Sequence, residues 1–207
     1  DAKYARYVDS SNPEVIPYRR RWAATDYVFV VNDQREYGVY VGQHGLVMEN
    51  GLPSETTLTL RRPGGAVYDL VAHRTVTATA AKGVLSFPAA LGPCEGRVYM
   101  VTDRPLAAVR LTAPATVARG TAARCRVAVL DDRTQPLAAV VPLRVDFLDP
   151  AGRPAEFSGF YGAKDGQVEI SFDLASNDTP GVWRLHVTEL ASGREADAYV
   201  RVSAGKP

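Results

Sequence analysis

Short runs of β-branched and aromatic residues, separated by turn-forming residues, are the feature that most constrains this chain. The clearest runs alternate apolar with polar residues, as in Arg124–Val129 and Leu143–Phe147. Successive side chains of a strand point to opposite faces, so this alternation predicts strands with one buried and one solvated face. No window carries the i, i+3, i+4, i+7 apolar spacing of an amphipathic helix. The pattern therefore predicts an all-β protein.

The spacing of these runs predicts two consecutive antiparallel β-sandwich domains, the second of them Ig-like, since about seven short strands per hundred residues is typical of a sandwich. The strands predicted for the first half are Tyr27–Asn32, Leu46–Glu49, Thr56–Arg61, Ala66–Asp69, Arg74–Ala78, Val84–Phe87 and Arg97–Thr102. Those predicted for the second half are Ala107–Thr112, Ala122–Leu130, Val141–Leu148, Val168–Asp173, Gly181–Glu189 and Arg194–Val202.

Turn-forming residues set the expected domain boundaries. We expect an extended N-terminal segment at 1–22, a β-sandwich module at 23–106, and an Ig-like or macroglobulin-like β-sandwich module at 107–207. Asp103-Arg104-Pro105 closes the first module, and Ala113-Pro114-Ala115 precedes the opening of the second. The N-terminal segment is expected to wrap the first module.

Composition excludes several classes of protein. The 207 residues are 46% hydrophobic and 23% charged, with a formal net charge of +1, so neither disorder nor a concentrated basic field is expected. Nucleic acid is therefore not an expected partner. No apolar stretch reaches the ~20 residues of a membrane-spanning helix. Because the chain begins at Asp1, we expect it to be part of a longer protein.

The two cysteines do not form a disulfide framework. Cys125 alternates with two valines, which predicts a small buried apolar side chain in a strand. Cys94 follows Gly92-Pro93 in a predicted loop of the other domain. A disulfide between them is not expected, and cysteine usage leaves the cellular compartment open.

The first half resembles the small C-terminal β-domains that are appended to many bacterial glycoside hydrolases. The resemblance rests on Gly65–Leu70, Gly83–Pro88 and Gly96–Met100, about forty residues in all. In those enzymes the β-domain packs against the catalytic barrel and rarely supplies catalytic residues. The resemblance therefore implies an accessory domain of a carbohydrate-active enzyme.

The second half is similar to macroglobulin-type and invasin-like sandwich domains of bacterial surface proteins. The similarity begins at Gly120 and passes through Asp149–Arg153 to Asn177–Trp183. Such domains act as spacers and interaction platforms. The thioester motif Cys-Gly-Glu-Gln of macroglobulins does not occur in this sequence.

Sequence motifs of catalysis are absent. There is no Gly-x-Ser-x-Gly, phosphate loop, dinucleotide fingerprint, His-Glu-x-x-His or Cys-x-x-Cys. Glycoside hydrolysis needs two facing carboxyl groups, and no spacing fixes such a pair. The acidic candidates for this chemistry are Glu36, Glu49 and Glu55.

No cofactor is expected, and the histidines His44, His73 and His186 are too scattered to predict a tetrahedral metal site. Calcium is the one alternative, because carboxylates in turns can supply oxygen ligands, although they also stabilise turns without any metal. The carboxylates concerned are Asp131, Asp132, Asp149 and Asp178.

The segment Tyr37–Gly45 is the most site-like stretch of the sequence. Its glycines allow close approach of the backbone to a ligand, and its tyrosines offer rings that stack on a sugar. The alternative interpretation is a twisted strand whose tyrosines pack at a domain junction. Trp22 is interpreted as an anchor against a neighbouring domain. The candidate ligand-binding residues are Trp22, Tyr37, Tyr40 and His44.

We therefore predict a non-catalytic accessory region of a larger secreted, periplasmic or cell-surface protein, the parent being a carbohydrate-active enzyme. Its expected partners are neighbouring domains of that protein, with polysaccharide as a further partner and no insertion into membranes. One alternative is a carbohydrate-binding module that uses the Tyr37–His44 segment. A second alternative is a glycoside hydrolase.

Overall fold

The computed structural model describes residues 6–38, 41–42, 45–46 and 49–204. This part of the chain consists of strands and turns and contains no α-helix, which confirms the all-β prediction. A helix long and apolar enough to cross a membrane is accordingly not found among these residues. The chain divides into two compact units, Asp1–Asp103 and Arg104–Pro207.

The strands of the first unit are β1 (Val8–Ser10), β2 (Val15–Trp22), β3 (Thr25–Asn32), β4 (Arg35–Tyr37), β5 (Val41–Gly42), β6 (Gly45–Leu46), β7 (Glu49–Gly51), β8 (Ser54–Leu60), β9 (Ala66–Asp69), β10 (Arg74–Val76), β11 (Thr79–Ala81), β12 (Val84–Leu91) and β13 (Gly96–Thr102). Those of the second unit are β14 (Leu106–Thr112), β15 (Thr116–Ala118), β16 (Ala122–Asp131), β17 (Val140–Leu148), β18 (Gly159–Lys164), β19 (Gln167–Asp173), β20 (Gly181–Glu189) and β21 (Glu195–Ser203).

The first unit is built from two antiparallel sheets. One has the order β1-β8-β12-β11 and the other the order β10-β9-β13-β3-β2, while β4 pairs with β7 and β5 with β6 in two short ribbons. The segment 1–22, predicted to be extended, supplies β1 to the first sheet and β2 to the second. It is therefore an integral part of the sandwich.

The core of the first unit follows from alternation along its strands. Val28 and Val30 of β3 and Leu85 and Phe87 of β12 all point inward and are buried. The rings of Phe87 and Tyr99 lie 5.1 Å apart between their centroids, joining the two sheets. Each such side chain contributes about 1.5–3 kcal/mol on burial.

A buried network of charges lies beside this core. The Asp26 carboxylate is only 2% exposed, and it accepts hydrogen bonds from Arg19 Nε at 2.6 Å, Arg62 Nη1 at 2.8 Å and the Tyr7 hydroxyl at 3.0 Å. Arg62 also donates to the carbonyl of Val101 and pairs with Asp103. Burial, followed by the negative charge of Asp26, raises the pKa of Tyr7. Because every charge has a partner, burial of the network is tolerated.

The second unit is one eight-stranded sheet, in the order β14-β16-β19-β18-β17-β20-β21-β15, that folds over on itself. The fold occurs between β18 and β19, which are joined by the single pair Lys164 and Gln167. Phe147 of β17 and Phe172 of β19 consequently meet with ring centroids 5.2 Å apart, although β18 lies between their strands in the sheet. The two halves form an Ig-like sandwich.

The predicted faces of the second unit are confirmed residue by residue. Cys125, Val127 and Val129 are buried, as are Leu143 and its alternate neighbours along β17. Burial raises the pKa of the Cys125 thiol to about 11. Trp183 is also buried, and its indole Nε1 donates to the carbonyl of Thr179 at 2.9 Å.

Seven strands lie outside the predicted strands, namely β1, β2, β4, β5, β11, β15 and β18. The predicted strand Arg74–Ala78 ends at Val76, and the chain then changes sheet to begin β11. Leu46 and Glu49, predicted to share a strand, belong to different ribbons, and residues 47 and 48 lie outside the described part. These strands escape prediction because they are short, lie at sheet edges, or expose most of their side chains.

Candidate functional site

An exposed apolar face covers the outer side of β2 and β3. Ile16 lies opposite Val31, and Tyr18 lies opposite Phe29. These side chains are 53%, 52%, 57% and 42% exposed respectively, and Trp22, at the end of β2, is 36% exposed. Because Val28 and Val30 point into the core, the intervening side chains of β3 must face outward. We call these five side chains the β2–β3 face.

On the same side of the hairpin as Ile16 and Tyr18, the only charged side chain of these two strands is Arg20. Its guanidinium carbon lies 5.2 Å from the centroid of the Tyr18 ring, and Arg20 has no ion pair among the described residues. Apart from Thr25, which is buried opposite Trp22, the other positions on this side, from Ile16 to Val31, are apolar or aromatic. Tyr, Trp, Phe and Arg are the residues enriched in protein interfaces, where Asp, Glu and Lys are depleted.

The free edge of β2, in contrast, is protected against pairing with another strand. The Val15 amide donates to the Asn12 carbonyl at 3.1 Å, so alternate residues from Val15 onward direct their backbone groups to this edge. Pro17 has no N–H to offer there. Pro and charged residues are the usual protection of sheet edges. The face of this hairpin is available for contact, whereas its edge is not.

Of the predicted ligand-binding residues, Trp22 and Tyr37 lie in the described part of the chain, whereas Tyr40 and His44 lie outside it. Tyr37 ends β4 and is 68% exposed, opposite Glu49 of β7. Trp22 pairs with the first residue of β3, while β4 follows the last residue of that strand. The structure therefore does not bring Trp22 and Tyr37 together at one end of the hairpin.

A cleft that sequence reasoning missed lies in the first unit, centred on Ala90 of β12. Three adjoining cavities of about 530, 260 and 390 Å³ share this alanine in their linings. Arg74 lies between the first and second cavities, Glu55 between the first and third, and Arg97 between the second and third. We call this arrangement the Ala90 cleft.

Arg97 is held in place by two carboxylates. Its Nη1 donates to Asp69 Oδ2 at 2.7 Å and its Nε to Glu95 Oε1 at 2.8 Å. The Gly92 amide, followed by Arg97, holds the pKa of Glu95 below its ordinary value. Burial, followed by the charge of Asp69, raises the pKa of Tyr99 to about 12. Tyr99 therefore stays protonated at physiological pH.

The acidic candidates for glycoside hydrolysis lie on three different strands. Glu36 lies on β4 opposite Asn50, and Glu49 lies on β7, whereas Glu55 faces outward from β8. Glu55 and Glu95 line the same cavity of about 390 Å³. Glu95 has a lowered pKa, which is opposite to the shift that a general acid of a glycosidase requires.

The aspartates considered as calcium ligands stabilise turns. Asp131 Oδ1 accepts the amides of Arg133 and Gln135, and Asp149 Oδ1 accepts those of Ala151 and Arg153. Asp178 accepts an amide within its own turn in the same way, and Asp132 pairs with Arg104. In the described part of the chain no group of three or more His, Cys, Asp or Glu side chains is arranged to hold a metal ion.

His186 belongs to a ladder of charges on the outer face of the second unit. Its Nδ1 lies 2.9 Å from Asp197 Oδ1, and the same carboxylate accepts Arg184 Nε at 2.8 Å. These contacts, Arg184 first, hold the pKa of Asp197 below its ordinary value. His186 lies directly opposite Asp197 on the neighbouring strand, so the ladder is a set of cross-strand pairs that stabilises the sheet.

No protein-family model and no curated protein sequence matches this chain. Among solved structures, the adhesin InvE of Yersinia pseudotuberculosis is 18% identical over 74% of this chain and 55% of its own, with a TM-score of 0.37. A superoxide reductase (neelaredoxin) of Ignicoccus hospitalis is 16% identical over 47% of this chain and 82% of its own, with a TM-score of 0.35. The PKD domain of an M14-like peptidase from a Thermoplasmatales archaeon is 17% identical over 51% of this chain and 99% of its own, with a TM-score of 0.31.

Proposed function

We propose that this chain is a non-enzymatic accessory region of a larger extracytoplasmic protein, and that it docks onto another protein domain through the β2–β3 face. The observation that carries the proposal is the row of large apolar side chains exposed on one sheet face, from Ile16 and Tyr18 to Phe29 and Val31. Contiguous apolar surface of this kind marks interaction sites in folded proteins. The parent is proposed to be a carbohydrate-active enzyme, on the resemblance of the first unit to the β-domains of glycoside hydrolases.

The composition of the β2–β3 face favours a protein as the occupant. A sugar brings hydroxyl groups that lose water on binding, and the aliphatic side chains of Ile16 and Val31 offer them no hydrogen bond. A second copy of the chain would bring a second face without carboxylates, leaving both Arg20 guanidinium groups without an opposite charge. A different domain with an apolar patch and a carboxylate opposite Arg20 satisfies both requirements.

Matched phenylalanine variants test this function. Phe29→Ser lies on the β2–β3 face, whereas Phe160→Ser removes a side chain that is 75% exposed in the second unit. The natural polypeptide is here the proposed larger protein that contains this chain. We expect Phe29→Ser to lower its melting temperature by at least about 4 °C more than that of the isolated chain, because the proposed interface requires the neighbouring domain. Phe160→Ser should change both forms equally, as measured by calorimetry.

Two outcomes would contradict the docking proposal. Equal effects of Phe29→Ser in both forms would show that no domain covers the face. An effect that grows with protein concentration would identify the occupant as a second copy.

Tyr37 favours a second candidate function, glycan binding, because its ring is 68% exposed beside a Gly-rich segment. Tyr37→Ala and Tyr40→Ala should then each lower the retention of the chain on polysaccharide in affinity electrophoresis. Undiminished retention in both variants rules out this candidate. Hydrolysis of a chromogenic glycoside by the purified chain, abolished by Glu55→Gln, would instead contradict the non-enzymatic proposal.

A further inference from the structure

The Ala90 cleft contains backbone groups that no described strand pairs. The Ser11 amide donates to the Thr57 carbonyl at 3.0 Å, so the backbone of Thr57 faces β1 and turns away from β12. Thr57 lies opposite Pro88, which therefore directs its own backbone away from β8. Two residues further on, Ala90 also directs its N–H and C=O away from β8, to the opposite edge of β12. There β11 pairs with β12 only as far as Ser86.

Two charged side chains on the walls of the cleft are also without partners. The side chains of Glu55 and Arg74 make no hydrogen bond or ion pair with any residue in the described part of the chain. Both line the largest of the three cavities, together with the hydroxyl-bearing Ser11 and Thr57. An unpaired donor, Arg74, and an unpaired acceptor, Glu55, therefore lie on either side of the small residues Pro88 and Ala90.

Charges of both signs line the Ala90 cleft, so a charged ligand of either sign fits it poorly. An anion would be attracted by Arg74 and Arg97 but repelled by the carboxylates of Glu55, Glu95 and Asp69. A cation would be attracted by these carboxylates and repelled by the two arginines. An added peptide strand would meet Pro88, which has no N–H to donate to a ladder. A neutral ligand whose hydroxyl groups both donate and accept satisfies the unpaired groups of either kind.

We propose that the Ala90 cleft binds a neutral oligosaccharide. Hydroxyl groups of the sugar accept from Arg74 and donate to Glu55, and the backbone of Ala90 offers one donor and one acceptor beneath them. The two larger cavities, of about 530 and 390 Å³, lie within the ~300–1,000 Å³ that small-molecule sites occupy. Pro88 and Ala90 both line the first and second cavities, and their small side chains leave room for a sugar ring.

Titration of the isotopically labelled chain with sugars, followed by amide chemical shifts, tests the proposal. The probes are the neutral hexamers of cellulose, xylan and mannan, and the anionic hexamer of polygalacturonate. At least one neutral hexamer should shift the amides of Thr57 and Ala90, with an affinity at least tenfold above that for the anionic hexamer. Arg74→Ala should weaken this affinity at least tenfold, and Ala90→Leu should abolish binding by filling the floor.

Matched controls separate this site from other surfaces. Arg110→Ala, which removes an exposed arginine of the second unit, should leave the sugar affinity unchanged, as should Phe29→Ser on the β2–β3 face. Unchanged amide spectra of the buried core of the first unit, around Val28, Val30 and Leu85, verify that each first-unit variant is folded. The proposal is overturned if no neutral hexamer shifts these amides at millimolar concentration, if the shifts centre on Tyr37, or if Arg74→Ala binds as tightly as the native chain.

Discussion

Replacing Asp26 with asparagine is expected to destabilise the first unit by about 3 kcal/mol. The carboxylate is 2% exposed and accepts from Arg19 and from Arg62, which is itself 6% exposed. Removing one partner of a buried ion pair costs about 3–5 kcal/mol, because the remaining charge stays buried without compensation. Arg62 keeps a contact with Asp103, which is 64% exposed, so the lower end of this range applies.

This loss corresponds to a change of roughly 150-fold in the folding equilibrium constant of the first unit, since each 1.36 kcal/mol is tenfold. The chain has two tryptophans, Trp22 in the first unit and Trp183 in the second. Urea unfolding followed by fluorescence in a Trp183→Phe background therefore reports on the first unit alone. Glu169→Gln, which removes a solvent-exposed carboxylate of the second unit, is the matched control. It should leave the urea midpoint of the first unit unchanged.

A double-mutant cycle distinguishes the buried network from simple loss of packing. Asp26→Asn combined with Arg62→Met should cost clearly less than the sum of the single variants, because the second substitution removes the charge that the first leaves uncompensated. A loss below about 1 kcal/mol for Asp26→Asn, or strict additivity in the cycle, would refute the reasoning.

Three further predictions concern thiols, turns and acid. Cys94 is exposed and Cys125 buried, so Ellman's reagent at pH 8 should modify one thiol in the native chain and two after denaturation; rapid reaction of both native thiols would contradict the structure. Gly166 has a φ of +71°, and a Cβ there would lie 2.5 Å from a backbone nitrogen, whereas Gly152 has a φ of +78° with open space around it. Gly166→Ala should therefore lower the urea midpoint of the second unit clearly more than Gly152→Ala, for which only the backbone cost of about 1 kcal/mol applies; equal shifts would be inconsistent with this packing. The pKa of Glu95 is lowered in the folded state, so its stabilising contribution is present above the unfolded pKa and is lost as the pH falls through the folded one. Glu95→Gln should thus flatten the decline in stability of the first unit between neutral pH and pH 3, and an unchanged slope would count against it.

Periodicity in the sequence predicts the central strands, because the alternation of apolar and polar residues within one strand is enough to show which face is buried. The alternation of Cys125, Val127 and Val129, or of Leu143, Val145 and Phe147, determines which face is buried whatever the neighbouring strand is. The same reasoning cannot identify β18, in which Gly159 and Gly162 interrupt the pattern and Phe160 is exposed. Its strand character comes from pairing with β17, a contact that the local sequence does not contain.

The candidate sites depend even more on distant contacts. Trp22 was identified from its residue type, but its companions on the β2–β3 face become visible only once β2 pairs with β3 and fixes which residues point outward. The Ala90 cleft joins residues from β8, β10, β12 and β13, and no motif links Glu55, Arg74 and Arg97 in the sequence. The buried charge network could not be predicted from the sequence either, because Asp26 and Arg62 are separated by thirty-six positions.

Carbene footprinting read by mass spectrometry tests the docking of the β2–β3 face most directly. Labelling of Tyr18, Trp22 and Phe29 is compared between the isolated 207-residue chain and the natural polypeptide, with Phe160 as the internal reference. We predict that the three face residues are labelled in the isolated chain and protected in the natural polypeptide, while Phe160 is labelled equally in both. Equal labelling of all four residues in the two forms would contradict the proposed role of this region.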